Sequence, residues 1–378
     1  MPRTSHGSFV HRPTAWAMVA VVACAAGALC QQLTMDQRGS QLLASTDGTF
    51  AEKAVKLGNA YLSGHGVNKD EKQAAYWYEK AAGAGDPEAQ QQIGYFYQAG
   101  IGVSVDPARA AHWYQLAAAS GLATAKRNLG VAYMWGAGVP MDKAFAAKLF
   151  REAADKGDGP AASYLGSLYY LGEGVQLDKS EAERWYRAGA KLHDPVAYYD
   201  LGALFSTDKD HAHDFARAAE WLRMSVAGGY VPAMLALGLL IAEHPELGHS
   251  NHEALSLLEE GSGYGQWKAS EALGIIHRNG GAVPRNPNAA YYYFQLAILQ
   301  GGEPLKHRLE ADMRILSAEL GGEQAAKLDA EAQGWYNAHH DAVEYVLGKT
   351  ARNRPPGLAI VTPAAGLHAG QLITVPPS

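Results

Sequence analysis

The strongest constraint on this sequence is a glycine that returns every 36 residues. It occurs at seven positions: Gly58, Gly94, Gly130, Gly166, Gly202, Gly238 and Gly274. An aliphatic residue precedes each glycine, and an alanine recurs in the same register from Ala74 to Ala290. A fixed period of this length indicates stacked copies of one supersecondary unit rather than a single mixed core. The seven copies are numbered below in chain order.

Each copy divides into two predicted helices joined by a turn. In the first copy, residues 54–62 form an apolar-rich helix, Gly64 and Gly66 supply the turn, and Asp70 begins a second helix ending near Gly85. Good helix caps occur in register with Asp70: Asp106, Asp142, Asp178, Asp214, Ser250 and Asn286. Glycines in register with Gly85 should end later second helices: Gly121, Gly157, Gly229, Gly265 and Gly301. Recurring tryptophans are predicted to lie in the core: Trp77, Trp113, Trp185 and Trp221.

These residues form the pattern L-G-x-x-Y-x-x-G-x-G-V-x-x-D-x-x-x-A-x-x-W-Y-x-x-A-A-x-x-G, found at residues 57–85 and, with isoleucine first, at residues 93–121. The pattern resembles the bacterial type of Sel-one-like repeat, a relative of the tetratricopeptide repeat. The resemblance covers residues 50–302 and is looser after the fourth copy. It implies an all-α fold, a right-handed α/α superhelical solenoid of about seven helix-turn-helix repeats. It also implies a role as an adaptor that assembles other proteins.

The period predicts five segments. Residues 1–30 are expected to be a signal peptide or membrane anchor, and residues 31–50 a linker. The repeat array occupies residues 51–302. Two helices in residues 303–348 should cover the last apolar face of the array as a cap, because a solenoid cannot leave that face exposed. A Pro- and Gly-rich tail, predicted to be disordered, fills residues 349–378.

The amino-terminal segment suggests export from the cytoplasm. A short basic stretch precedes an uncharged apolar run at residues 14–29, an arrangement typical of a secretory signal or signal anchor. Three fates stay open: cleavage at the Ala-Gly-Ala of residues 26–28, lipidation of Cys24, or an uncleaved anchor. We therefore expect a location in the cell envelope, either periplasmic or membrane-anchored through residues 14–30, with membrane contact only through this segment.

Composition and motifs exclude several classes of function. The net charge is −6 and no basic block occurs, so nucleic acid is a poor partner. No nucleophile elbow, phosphate loop or catalytic Cys–His set is present, and the histidines lack the spacing of a zinc helix. The sequence therefore predicts a protein that is not an enzyme and needs no cofactor or metal.

The first helix of each copy has a stripe opposite its predicted core side, which is expected to face a concave groove. Aromatic and Arg side chains on this stripe are the types that anchor interfaces. The candidate binding residues are Gln91, Tyr95, Gln98, Arg127, Met134, Trp135, Tyr170 and Tyr199, with Val131, Ser163 and Ser167 on the same stripe. The predicted function is a scaffold that binds a partner protein or an extended peptide. The alternative is a cell-envelope ligand-binding or peptidoglycan-modifying protein, and the oligomeric state stays open.

Overall fold

The computed structural model describes residues 48–207, 214–250, 252–280 and 283–347, and side chains as far as residue 339. The predicted signal or anchor (residues 1–30, with Cys24), nearly all of the linker and the tail (residues 349–378) lie outside the described residues. The chain forms two compact units, residues 1–125 and 126–378. Among the described residues, no helix combines the length and apolar character needed to cross a membrane.

The described residues form sixteen α-helices and no strand. Unit 1 contains α1 (Phe50–Ser63), α2 (Glu71–Gly83), α3 (Pro87–Ala99) and α4 (Pro107–Ala119), and the boundary falls within α5 (Ala123–Trp135). Unit 2 continues with α6 (Lys143–Ala154), α7 (Gly159–Leu171), α8 (Lys179–Lys191), α9 (Pro195–Thr207), α10 (Phe215–Ala227), α11 (Val231–Glu243), α12 (Glu253–Gly263), α13 (Trp267–Asn279), α14 (Pro287–Gly301), α15 (Glu303–Leu320) and α16 (Gly322–Leu347). The odd-numbered helices α1 to α13 carry the repeat glycines and are the first helices of each copy. The even-numbered helices α2 to α14 are the second helices, so the prediction of an all-α repeat fold is confirmed.

The repeat glycine permits a close approach between the two helices of each copy. A Cβ built on Gly166 would lie 2.6 Å from the ring of Tyr186, and one on Gly274 would lie 2.4 Å from the ring of Phe294. The same relation joins every repeat glycine to the residue twenty positions later: Tyr78, Tyr114, Phe150, Tyr186, Leu222, Leu258 and Phe294. Because real Cβ atoms do not approach other atoms this closely, glycine is required at these positions.

Most second helices begin at the predicted caps. Asp106 illustrates the arrangement, since its Oδ1 accepts a hydrogen bond from the amide of Arg109 at 3.0 Å. Asp70, Asp142, Asp178, Asp214 and Asn286 act in the same way. Ser250 does not, and its assignment was wrong: α12 begins at Glu253, after His252. The turn of the sixth copy contains a 3-10 helix, Pro245–Leu247, which delays the start of α12.

The predicted helix ends need one correction. Gly85, Gly121, Gly157, Gly229 and Gly265 take positive φ as expected, but Gly301 still belongs to α14 and Gly302 adopts the positive φ of 80°. In the fourth copy, where the register offers no glycine, His193 takes a left-handed φ of 59°. Its ring Nδ1 lies 3.1 Å from the hydroxyl of Tyr198.

The recurring tryptophans serve the core only in part. Trp185 is buried, with 7% of its surface exposed, whereas Trp77, Trp113 and Trp221 are half-buried. Each of these residues precedes the side chain that packs on the repeat glycine and therefore lies about 100° further around the second helix. The residues that fill the space between the helices are those next to the tryptophans.

Helices α15 and α16 follow the last repeat in unit 2. Leu305, Leu309 and Leu316 of α15 are buried together with Phe294 of α14 and Leu328 of α16. Met313 and Leu320 pack against this cluster and are partly buried. The apolar side of α15 therefore lies against the second helix of the seventh copy.

Replacing a repeat glycine should destabilise the fold. We expect Gly166→Ala to lower the free energy of unfolding by about 1–3 kcal/mol, because the new methyl group overlaps the ring of Tyr186. The matched control is Gly334→Ala in α16, where an added Cβ meets no atom within 4 Å, and where alanine should stabilise the helix by about 0.5–1 kcal/mol. Urea unfolding of both variants measures the effect. Equal effects of the two substitutions would contradict the close contact.

Candidate functional site

In unit 1, two of the three predicted binding residues form hydrogen bonds with residues outside their own helix. The amide oxygen of Gln98 accepts a hydrogen bond from the hydroxyl of Tyr114 at 2.6 Å, and Tyr114 is the ring that packs on Gly94. The amide oxygen of Gln91 accepts a hydrogen bond from the hydroxyl of Thr124. Tyr95 is half-buried. The two glutamine side chains therefore form hydrogen bonds within the fold, which hold neighbouring helices together.

In unit 2, the predicted residues divide by burial. Met134 is only 8% exposed, and Val131 and Ser163 are also buried. The predicted surface stripe of the first helices was therefore wrong at these three residues. Met134 lies four residues after Gly130 and three after Val131, both buried, so the three residues share one buried side of α5. Trp135, at the end of α5, is 43% exposed. Tyr170, Tyr199, Ser167 and Arg127 are half-buried.

The starts of three neighbouring first helices bring together a group that we call the acidic cluster. It consists of Asp158, Tyr164, Asp194, Tyr199, Asp200 and Tyr230. Asp158, Asp194 and Tyr230 are the residues that precede α7, α9 and α11, and helices α7 and α9 are in contact. Because the copies stack, residues of the same register in successive copies form one row. The cluster therefore lies on the side of unit 2 formed by its first helices.

Two of the three carboxylates have structural partners. Asp158 is buried and accepts a hydrogen bond from the amide of Ala161 at 2.9 Å, and it also accepts one from Nε of Arg127 at 3.2 Å. Asp194 accepts from the amide of Ala197 at 3.3 Å and from the hydroxyl of Ser163. Both residues cap the helices that follow them. Burial raises the pKa of Asp194, although Arg127 and these hydrogen bonds oppose the shift.

Asp200 is the exception. Its Oδ2 atom is buried and, among the described residues, has no hydrogen-bond partner. Burial and, secondarily, the negative charge of Asp194 raise the pKa of Asp200 to about 8. Most of the Asp200 carboxyl groups therefore carry a proton at neutral pH, unlike those of an ordinary aspartate.

Three tyrosines lie within electrostatic range of these carboxylates. The rings of Tyr199 and Tyr230 meet edge to face with 5.2 Å between centroids. Tyr164 stacks on Phe150 at 5.0 Å. Burial raises the pKa of Tyr199 and of Tyr230, and the charge of Asp200 raises both further. Burial also raises the pKa of Tyr164 to about 12, so all three rings are neutral at physiological pH.

Sequence reasoning identified Arg127 and Tyr199 but missed the carboxylates beside them. One signal was present in the sequence. Asp200 stands two residues before a repeat glycine, where the other copies carry Lys56, Gln92, Asn128, Tyr164, Ala236 and Ala272. It is the one acidic residue in that register, and because the register varies between copies, the fold does not require an aspartate there.

The histidines of the sixth copy have structural contacts. His244 stacks on Phe215 with 4.1 Å between centroids, and its Nδ1 lies 3.4 Å from Glu246. Among the described residues, no group of three or more His, Cys, Asp or Glu side chains could hold a metal ion. His211 and His213 lie outside the described residues.

The raised pKa of Asp200 has a consequence for stability. The folded chain holds the proton of Asp200 up to about pH 8, while the unfolded chain releases it near pH 3.8, the ordinary pKa of an aspartate. The contribution of Asp200 to stability therefore falls as pH rises through this interval. We expect the melting temperature of Asp200→Asn, relative to the unsubstituted chain, to rise steadily from pH 5 to pH 8.

Asp155→Asn is the matched control, because this carboxylate is exposed at the end of α6. Its difference in melting temperature should stay constant over the same interval. A constant difference for Asp200→Asn as well would contradict the raised pKa.

Comparison with known proteins places these repeats in a family. The model of the Sel1 repeat matches residues 54–86, 87–122, 123–158, 159–194, 195–230 and 267–302, which is more than half of the chain. The sixth copy, with its 3-10 turn, is not matched. A comparison with curated proteins found no significant match.

Two solved structures are similar. A Sel1 repeat protein from Oxalobacter formigenes is 29% identical, with a TM-score of 0.57 over 65% of this chain and 98% of that one. A protective antigen with an SLR fold from uropathogenic Escherichia coli, c5321, is 23% identical, with a TM-score of 0.44 over 81% of this chain and 72% of that one. Of these two, only the first supports an argument about the fold. Because the family model matches six repeats and a pair of helices forms each of them, the chain belongs to the Sel1 repeat family.

Proposed function

We propose that this chain is a non-catalytic interaction protein that binds a partner protein or an extended peptide on the first-helix face of unit 2. This face comprises the exposed and half-buried side chains of α5, α7, α9 and α11. Sel1 repeats typically mediate contacts between proteins, which supports the general class. The observation that carries the proposal is the set of aromatic side chains left at this surface, Trp135, Tyr170 and Tyr199. Such residues dominate binding energy at interfaces.

Two of the three carboxylates of the acidic cluster have structural roles, which supports binding rather than catalysis. Asp158 and Asp194 are occupied as helix caps, so they are not available to move protons. Members of the family are generally non-catalytic scaffolds. The alternative, a cell-envelope ligand-binding or peptidoglycan-modifying protein, has no support from the comparisons.

A capture experiment tests the binding face. The full chain serves as bait beside a Trp135→Ala, Tyr170→Ala variant whose melting temperature is unchanged. We expect a protein from the native cells to bind the unsubstituted bait at least about tenfold more tightly, since truncating interface aromatics commonly costs more than 1 kcal/mol. The matched control is Ile315→Ala, because Ile315 is 64% exposed but lies on α15.

A photoreactive phenylalanine analogue at position 135 or at position 315 then locates the contact. Cross-linking of the captured protein from position 135 alone is the expected result. Equal retention on all three baits would contradict the proposal, as would cross-linking from position 315 alone.

Export is a separate proposal that rests only on the sequence of residues 1–30. We propose that the chain reaches the cell envelope, and mass spectrometry of its amino terminus after fractionation of bacterial cells measures this. The expected products are a chain cleaved after Ala28, a chain beginning with lipidated Cys24, or an intact chain in the membrane fraction. An intact chain recovered only from the cytoplasm would contradict export.

A further inference from the structure

We propose that the acidic cluster around Asp200 binds a positively charged side chain, a lysine or arginine of the protein partner. This inference deepens the function proposed above and rests on it for the idea that the ligand belongs to a protein. A lysine or arginine side chain would then be the chemical group that the first-helix face of unit 2 recognises.

The first observation is an incomplete hydrogen-bond set. The Oδ2 atom of Asp200 is buried and lacks a partner among the described residues, although Asp194, the neighbouring carboxylate, has several. Burying an acceptor without a donor is unfavourable, and most buried polar groups in proteins have a hydrogen-bond partner. A donor supplied by a ligand would complete the set.

The second observation is the charge of the cluster. It contains three carboxylates, and the nearby cation is Arg127, whose guanidinium bonds to Asp158. No ion pair within the described part of the chain includes Asp200. Asp194 and Asp200 therefore oppose each other, and the negative charge of Asp194 makes ionisation of Asp200 less favourable. A cation between them would relieve this opposition, whereas an anion would increase it.

The third observation is the aromatic wall. Tyr199 belongs to the same helix as Asp200, Tyr230 precedes α11, and Tyr186 belongs to α8. The charge of Asp200 raises the pKa of all three hydroxyls, so the three residues lie within electrostatic range of its carboxylate. Aromatic faces attract ammonium and guanidinium groups, most strongly where water is excluded. A carboxylate set among tyrosines suits an organic cation that brings both charge and an apolar stem.

A metal ion fits this cluster poorly. Calcium takes six to eight oxygen ligands and magnesium demands six. The described residues contain no group of three or more His, Cys, Asp or Glu side chains able to hold a metal. A lysine or arginine instead brings several N–H donors and needs only one or two acceptors.

The same arrangement makes binding depend on pH. The groups that face Asp200 are the carboxylate of Asp194 and the hydroxyls of Tyr186, Tyr199 and Tyr230. The pKa of Asp200 is raised to about 8, whereas burial keeps the tyrosines protonated. Because a cation binds the ionised carboxylate, affinity should rise between pH 6 and pH 9. Arginine keeps its charge throughout this range, so any change in affinity reports on the protein.

A titration with a small probe tests the inference without a partner. Acetyl-arginine amide is added to the full chain labelled with ¹³C-tyrosine, and the ring signals of Tyr199 and Tyr230 are followed by NMR, assigned with Tyr199→Phe and Tyr230→Phe. We expect saturable shifts of both signals and an affinity that rises from pH 6 to pH 9. Acetyl-glutamine amide, a neutral probe, should produce no saturable shift.

The variants identify the carboxylate responsible. At pH 9, Asp200→Asn should bind the arginine probe roughly tenfold more weakly than the unsubstituted chain, since a hydrogen bond to a charged group is replaced by one to a neutral group. The variant should also lose the pH dependence. Asp155→Asn, which removes the same charge from an exposed position, should bind like the unsubstituted chain. The pH profile of the unsubstituted chain remains a test even if Asp200→Asn does not fold.

The inference is overturned by equal shifts with the glutamine probe, by unchanged binding in a folded Asp200→Asn variant, or by no saturable shift with arginine at any pH. These results are independent of the capture experiment. Failure of capture with successful titration rejects the proposed partner but keeps the cation site. Successful capture with failed titration keeps the binding face but rejects the cation site.

Discussion

The fold depends on one contact, in which a side chain of each second helix lies directly on a glycine of the first. A Cβ at any of the seven glycines would lie within 2.4–2.8 Å of that side chain. The side chain that packs on the glycine is a tyrosine, a phenylalanine or a leucine in different copies, whereas the glycine is present in all seven. The constraint is therefore the distance between the two helices rather than the chemistry of the filler. The recurring alanine, whose carbonyl lies beside the same position in several copies, serves the same close approach.

The side chain that packs on the repeat glycine also provides a hydrogen-bond donor for a polar side chain of the first helix in some copies. Where the filler is tyrosine, its hydroxyl reaches past the glycine to a polar side chain of the first helix, as Tyr114 does to Gln98 at 2.6 Å and Tyr186 does to Ser167 at 3.3 Å. The fifth copy carries Leu222 instead, which has no hydroxyl to donate. Asp200 of that copy has an unpartnered oxygen, but it lies two residues before Gly202, whereas Gln98 and Ser167 lie after their glycines. The unpartnered oxygen of Asp200 is therefore a separate feature of the fifth copy.

The acidic cluster shows how a repeat array can build a site without interrupting its fold. Asp158 and Asp194 perform the ordinary task of capping first helices, and stacking of successive copies aligns these caps in a row. The additional carboxylate, Asp200, lies six residues after Asp194 and adds a third negative charge beside these caps when it ionises, at about pH 8 and above. The proposed preference for a cationic side chain follows from this sum of charges and from the tyrosine rings around it, and it involves no special backbone geometry.

The sequence by itself determined the helix pairs, their boundaries and the caps at Asp70 and its equivalents, because a strict 36-residue period fixes local structure in every copy. It failed where the period breaks, at Ser250, since a 3-10 turn moves the start of α12. It also failed to separate Met134, which is buried, from Trp135, which is exposed, because helical angles alone do not show how deeply a neighbouring copy covers a stripe. Only the tertiary structure brought Asp158 into one group with Asp194 and Asp200, which respectively cap and belong to a single helix. The proximity of Asp158 arises from stacking between copies, and no spacing within a single copy encodes it.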